Sequence, residues 1–332
     1  MVESCRKVME AIGGYFELAD YEEGVFLHKD GILLNTGRNS LEYILRSIGN
    51  VTKIYLPYYT CEVVLEPLKK LQIPWAFYHI NTDFEISDDI SPKVGEYVVA
   101  NNYYGIKDAY IQKLAEKYGE HIIVDCAQAF FAKPILGINS FYSTRKYVGV
   151  ADGGVAYIGN NKYNNIVVSD TEDTLVHDSH LLKRKQFGAE AGFSDYRANE
   201  SMLDNLPIRL MSVTTKEILN HIDYDRVIDK RRVNFSYLNN ALADINELSL
   251  PSIDSFVCPM VYPFLTRTGK DVRMELIKNK VFCACYWPNV MKWCKPADYE
   301  YNLSENMVSI PIDQRYCEND MRVIIDILDT LV

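Results

Sequence analysis

The sequence predicts an α/β fold: a mostly parallel central sheet covered by helices on both faces, followed by a smaller α+β domain. Three observations carry that expectation. Short all-apolar runs alternate with helical stripes from about residue 53 to 125, as strands buried on both faces and joined by crossover helices do. A long helical pattern over 230–244 separates them from a second set of strand-like runs. The 332 residues also exceed what one core usually organises. The expected division is an N-terminal segment 1–30, a large α/β domain 31–228 and a small α+β domain 229–332.

The elements follow in chain order. Residues 41–48 read as an amphipathic helix after a polar, glycine-bearing turn, and 53–56 as a strand ending at Pro57. Val63, Val64, Leu65, Leu68 and Leu71 form a helical stripe. Strands are expected over 75–79, 96–100 and 122–124, with a helix over 109–118 between the last two. The helix over 230–244 offers Val233, Phe235, Leu238 and Leu242 for burial. Strands over 256–261 and 281–285 come next, and a closing helix over 319–331 carries Met321, Ile324, Ile325 and Leu328 at helical spacing.

Composition narrows the function classes. The chain is 48% hydrophobic and 24% charged, as a soluble globular protein is, and its 12% aromatic content includes 24 Tyr. A net charge of -10 argues against a general nucleic-acid or anionic-membrane surface, but leaves room for a local basic pocket. No run approaches the roughly 20 apolar residues that span a bilayer. The first residues include Glu3 and Glu10 and lack the apolar core of a signal peptide. Eight scattered cysteines then read as reduced thiols of a cytoplasmic protein. Cys283, Cys285 and Cys294 have no neighbouring His and read as core rather than zinc ligands. Residues 169–185, with His177 and His180, read as a polar loop, and Lys183-Arg184-Lys185 as a solvated face or a diphosphate attractor.

In open α/β sheets ligands bind beyond the carboxyl ends of the strands, which directs attention to residues 57–60, 101–105 and 125–128. Three features there carry chemistry. The turn Asn35-Thr36-Gly37-Arg38-Asn39-Ser40 opens a helix, so it is either an ordinary cap or an anion site built from free N–H groups and the helix dipole. Asp125 ends a buried strand, where a carboxylate either caps the next helix or holds a protonated ring nitrogen; Gln128 lies three residues on. Lys146 sits among aromatics ahead of Gly153-Gly154, beside the cation Arg145. A lysine used as a nucleophile needs desolvation or a neighbouring cation, whereas a lysine near glycines is otherwise surface.

Order and spacing join the three. Lys146 lies 21 positions after Asp125 and six before Asp152-Gly153-Gly154, and Asp125-Cys126-Ala127-Gln128-Ala129 is a D-x-A-[QH]-A run. These motifs resemble the DegT/StrS-type (DegT/DnrJ/EryC/StrS) sugar aminotransferases, which are fold-type I pyridoxal 5'-phosphate (PLP) enzymes of the aspartate aminotransferase superfamily. Leu56-Pro57-Tyr58-Tyr59-Thr60, Tyr103-Tyr104-Gly105, and the C-terminal Ile310-Pro311 with Gln314-Arg315-Tyr316 and Asp320 extend the resemblance over residues 30–330. The chain departs from the family in having Ser143 three before the lysine and Phe141 five before it. No clear Asn-x-Arg segment is visible, although 207–212 lies about where it belongs.

The resemblance implies that Lys146 forms a Schiff base with PLP and then moves the proton of transamination. It implies that Asp125 holds the pyridine nitrogen and Gln128 the phenolic oxygen. Thr36, Gly37, Arg38 and Asn39 would hold the phosphate with Ser143, favoured over Ser140 because Ser143-x-x-Lys146 resembles the S-x-x-K pattern of other fold-type I aminotransferases, and Tyr59 or its neighbour Thr60 would lie against the ring. It further implies an amino-acid donor such as glutamate, a nucleotide-linked 3- or 4-keto sugar as acceptor, and a homodimer with shared sites. Transamination of another keto substrate (a keto acid or cyclitol), PLP binding without turnover, and a plain α/β protein remain the alternatives.

Overall fold

The computed structural model describes residues 11–159, 166, 168–170, 177–251, 253 and 257–331. Its strands are β1 (Ile12–Gly13), β2 (Ile32–Leu34), β3 (Lys53–Pro57), β4 (Trp75–Tyr78), β5 (Glu96–Asn101), β6 (Ile122–Cys126), β7 (Asn139–Ser143), β8 (Gly154–Tyr157), β9 (Val261–Leu265), β10 (Val281–Phe282) and β11 (Met307–Pro311). Its α-helices are α1 (Gly37–Ile48), α2 (Leu65–Lys70), α3 (Asp108–Tyr118), α4 (Ser179–Phe187), α5 (Phe193–Met202), α6 (Val213–Leu219), α7 (Tyr224–Leu242), α8 (Gly269–Lys278), α9 (Val290–Trp293), α10 (Tyr299–Asn306) and α11 (Glu318–Leu328).

Seven strands form the central sheet in the order β2-β8-β7-β6-β5-β3-β4. The pairs from β4 through β7 are parallel; β8 alone runs against its neighbours β7 and β2. All five residues of β6 are buried, as expected of a strand covered on both faces. One apolar cluster, with Leu41, Ile44, Ile123 and Phe141, fills one side of the sheet, and another, with Val98, Val124, Tyr142 and Val155, fills the other. Alternate residues of one strand divide between the two. A third cluster joins Ile12 to α7, β9, β11 and α11.

Helix α1 starts where Thr36 turns extended (φ -145, ψ 158) and its hydroxyl accepts the Asn39 amide; it stops at Gly49, φ 86. It begins four residues before the apolar stripe, because its first turn is polar and capped rather than packed.

Four expectations change. The strand expected over 256–261 is β9, Val261–Leu265; Phe256 lies outside the described residues. The carbonyls of Pro259 and Met260 are taken by Arg231 and the Met260 amide by Tyr104, so this stretch has no ladder to join. In α7, Val233 is 48% exposed, whereas Arg231 and Asn234 share the buried stripe with Phe235, Leu238 and Leu242. Those two polar side chains donate to main-chain carbonyls and Gln314, which holds them in the core, with the buried Asn234 Oδ1 left unpartnered. Within 169–185, where residues 171–176 lie outside the described residues, α4 begins at Ser179 and buries His180, Leu181 and Arg184. Lys183, Arg184 and Lys185 pair with Asp195, Glu17 and Asp20 respectively, tying α4 to α5 and the N-terminal segment. The strands β7 and β8, on either side of Lys146, lay hidden in a stretch whose polar and glycine content obscured its alternation.

Among the described residues no helix is long and apolar enough to cross a membrane.

Candidate active site

The carboxyl ends of β3, β5, β6 and β7 open into one cleft against the start of α1. It is lined by Thr36, Gly37 and Arg38 from α1, Thr60 and Cys61 after β3, Asn101 and Asn102 after β5, Asp125 and Gln128 from β6 and its loop, and Ser143, Arg145 and Lys146 after β7. Glu200 and Leu203, at the end of α5, and Trp287 close it. Larger cavities exist; one of them, under the N-terminal segment, is lined by charges such as Arg315 that are already paired. The strand-end cleft gathers an unpaired lysine, a carboxylate with one hydrogen bond and an orphaned amide donor.

Lys146 ends a 3-10 turn, Thr144–Lys146. Its Nζ lies 5.8 Å from the ring centre of Tyr286 and 5.9 Å from that of Trp287, and it has no hydrogen bond or ion pair among the described residues. Asp125 accepts the Ala127 N–H at 2.8 Å, its one hydrogen bond there. Burial pushes its carboxyl up, and nearby Lys146 draws it partly back. Asp125 is therefore both the local cap and a carboxylate with acceptor capacity to spare. Gln128 accepts the Tyr104 N–H at 3.1 Å through Oε1, while its buried Nε2 has no partner. An orphaned buried donor costs about 1–3 kcal/mol unless a ligand takes it.

At the start of α1 the amides of Gly37 and Arg38 precede any intrahelical acceptor, and both residues line the cleft beside Ser143. Thr36 is thus a true cap and also part of the cleft wall. Gly153 and Gly154 act on this turn rather than on a ligand. A Cβ on Gly154 would lie 2.3 Å from the Thr36 carbonyl carbon and oxygen and 2.6 Å from the Gly37 nitrogen, and one on Gly153 2.3 Å from the Thr144 hydroxyl. The pair clamps the lysine-bearing turn to the helix start. Asp152 secures the same strand from behind, accepting the Ser212 N–H at 2.9 Å and its hydroxyl at 2.7 Å, together with the Thr215 hydroxyl.

Lys146, Asp125, Gln128, Thr36, Gly37, Arg38, Ser143 and Thr60 therefore converge. Asn39, Ser140 and Tyr59 do not. The Asn39 amide points back to Asn35 Oδ1 (2.8 Å) and the Pro207 carbonyl (2.9 Å). Ser140 shares the other face of β7 with Tyr142 and lines a separate cavity; the two-residue period of the strand decides between it and Ser143. Tyr59 is fully buried, with its hydroxyl 2.8 Å from that of Tyr104, and the next two residues, Thr60 and Cys61, reach the cleft instead. Burial pushes the Cys61 thiol up despite the nearby Lys146. Arg38 is held at 2.8 Å by Glu66 and 2.7 Å by Asp204. Segment 207–212 runs along β2 of its own chain, with Asn35 and Met211 donating to Arg209 and Leu33 carbonyls.

Cys61, Glu200 and Trp287 escaped the reading of the sequence. Cys61 directly follows the strand-end segment 57–60, a signal that the sequence does carry; Glu200 and Trp287 arrive from distant helices and loops with no local signal.

No protein-family model matches the sequence, and no curated protein matches it. Solved structures do match the fold. DesV of S. venezuelae, in complex with a ketimine intermediate, is 16% identical with a TM-score of 0.63, over 90% of this chain and 84% of that one. The PLP-form of the putative sugar aminotransferase Spr1654 from Streptococcus pneumoniae is 13% identical with a TM-score of 0.63, over 96% and 92%. A DegT DnrJ EryC1 StrS aminotransferase from Brucella abortus is 15% identical with a TM-score of 0.58, over 90% and 85%. The chain has the fold of these aminotransferases along nearly its whole length, and its cleft lies where the parallel strands of that fold end.

Proposed function

We propose that this protein is a PLP-dependent aminotransferase of the DegT/StrS type, moving an amino group from an amino acid, glutamate by preference, to a nucleotide-linked 3- or 4-keto sugar. The observation that carries the reading is the meeting of three groups in one cleft at the start of α1: an unpaired lysine, a buried carboxylate and an orphaned amide donor. They fit PLP. The Lys146 amine is the point of covalent attachment; Asp125 takes the ring nitrogen, Gln128 Nε2 the phenolic oxygen, and the Gly37 and Arg38 amides with the Ser143 hydroxyl the phosphate. Thr60 and Cys61 would line the space beside the cofactor. The fold shared with sugar aminotransferases supports the same assignment.

When bound, the cofactor supplies the electron sink that lets nitrogen leave one carbon skeleton and join another. The chain supplies the rest. Asp125 keeps the ring nitrogen protonated by accepting its hydrogen bond, and the cost of burying that carboxylate is recovered from the cationic partner. Lys146, as a free amine, would be the group that accepts the proton from the donor's α carbon and returns it, acting as base and then as acid. Tyr286 and Trp287 screen the amine from water. In related sugar dehydratases a His replaces this lysine, so Lys146 favours amino transfer.

We further assign the chain to the cytoplasm, divide it at 31 and 229, and expect a homodimer whose partner completes the site. Its substrates are small molecules, with neither nucleic acid nor membrane as a partner.

The test is direct. Supplied with PLP, the protein turns yellow, borohydride fixes the label on Lys146 in peptide mass spectra, and K146A stays colourless. Glutamate bleaches the loaded enzyme, and nucleotide keto sugars restore the colour faster than keto acids or cyclitol ketones do. A parent protein that takes up no PLP would falsify the proposal; a preference for keto acids would move the acceptor.

A further inference from the structure

Three cationic side chains line the cleft: Arg38, Arg145 and Lys146. Lys146 is assigned to proton transfer. Arg38 is neutralised by two carboxylates, Glu66 and Asp204. Arg145 differs from both. Its Nη2 donates to a single carboxylate, Glu200, and its buried Nε has no partner. A guanidinium carries five donors in a rigid fork that suits one carboxylate held by two parallel bonds; here that fork is only partly used.

Position gives the spare donor its meaning. Arg145 and Lys146 are consecutive on the turn Thr144–Lys146 and both line the cleft, so the guanidinium and the reacting amine open onto the same space. In an amino-acid donor the α-carboxylate is bonded to the carbon from which Lys146 takes its proton, so whatever holds that carboxylate must stand next to Lys146. Glu200 is suited to yielding its place. Its side chain is 39% exposed, against 19% for Arg145, so once displaced it returns to water rather than being stranded as a buried charge.

We propose that Arg145 anchors the α-carboxylate of the amino donor, and that Glu200 occupies the guanidinium until the donor displaces it. This rests on the reading of the cleft as a transamination site. It gives the two substrates different demands on one subsite: the donor brings a carboxylate to Arg145, whereas the acceptor sugar ring brings none and meets an Arg145–Glu200 pair that has closed again.

The experiment uses PLP-loaded parent, R145Q, R145K and E200Q proteins. The ligands are α-methyl-L-glutamate and 2-aminoisobutyrate, which lack an α proton and cannot turn over, and propylamine, which lacks a carboxylate. Binding is read from the spectral shift. R145Q is expected to weaken both amino acids equally, by about 10- to 100-fold, as loss of a bidentate charge-assisted contact does, with PLP uptake and propylamine binding unchanged. R145K falls between, because it keeps the charge but not the fork. E200Q tightens both amino acids several-fold by removing the competing carboxylate. Equal amino-acid binding in parent and R145Q overturns the assignment. Weakening of α-methyl-L-glutamate alone also overturns it, by placing the side-chain carboxylate at Arg145, and so does loss of PLP uptake in R145Q, which makes Arg145 a cofactor ligand. A parent that takes up no PLP overturns the reading of the cleft and this assignment with it.

Discussion

Gly154→Ala isolates the contact between the two halves of the proposed cofactor cradle. The new methyl would meet the Thr36 carbonyl group at 2.3 Å and the Gly37 nitrogen at 2.6 Å, where ordinary contact begins at 3.4 Å. These are backbone atoms, so no side chain can swing away, and β8 and the start of α1 must part by about 1 Å. Overpacking of this kind costs about 1–3 kcal/mol, which lowers Tm by a few degrees in a chain of this size. The same movement carries the Gly37 and Arg38 amides off any anion they hold. Each charge-assisted bond lost is worth about 1.5–3 kcal/mol, so affinity for PLP falls about 10- to 100-fold or more. The paired control is Gly37→Ala, whose methyl would meet Ser143 Cβ and the Tyr142 carbonyl oxygen at 3.5 Å, an ordinary contact. Gly37 has a negative φ, so alanine fits there. The assay is a PLP titration followed in the visible, beside a thermal melt of each protein without cofactor. A G154A protein that melts and binds like the parent, or a G37A protein that suffers as much, refutes the claim that the clamp is steric and sits at Gly154.

Three further outcomes are expected. Gln128→Glu keeps the acceptor for the Tyr104 amide but replaces the unpartnered donor, so PLP binding weakens about tenfold or more while the apoprotein melts within a few degrees of the parent; unchanged binding means Nε2 meets no ligand. Asp125→Asn removes a buried charge whose carboxyl burial already pushes up; the apoprotein stays as stable or gains slightly, yet turnover drops at least about 100-fold, and a variant that turns over normally removes Asp125 from the chemistry. His28 is buried between the Phe130 carbonyl (2.6 Å) and the Tyr157 hydroxyl (3.1 Å), and burial lowers its pKa from 6.5 to about 4. Its contribution is complete above pH 6.5 and is lost as pH falls towards 4, by about 3 kcal/mol in all. Denaturant melts of parent and His28→Gln should therefore converge as pH drops from 7 to 4.5; a constant gap refutes the buried neutral imidazole.

The strands that build the sheet were legible because a strand buried on both faces must be apolar throughout, and Ile122 to Val124 or Val98 to Ala100 leave no other reading. The closing helix was legible from Met321, Ile324 and Leu328, all fully buried. Where polar residues serve the core the pattern failed: Arg231 and Asn234 are invisible to hydrophobic periodicity, because their burial is compensated by carbonyls from remote segments. The site divides the same way. Asp125, Gln128 and Lys146 were chosen from spacing, which a fold of known strand order converts into proximity. Asn39 and Tyr59, chosen with them, turn into the interior, because which way a side chain faces depends on the partners that compete for it.

By itself the sequence determined that a buried parallel sheet exists, that its strand ends carry a carboxylate, a lysine and a helix start, and that these stand in the order of one family of enzymes. Tertiary structure decided the rest. It turned Asn39 and Tyr59 away from the cleft, brought Glu200 and Trp287 to it from far along the chain, and gave Gly154 rather than Gly37 the tight contact. Local sequence dictates what a residue is able to do, but long-range packing sets which atoms it meets.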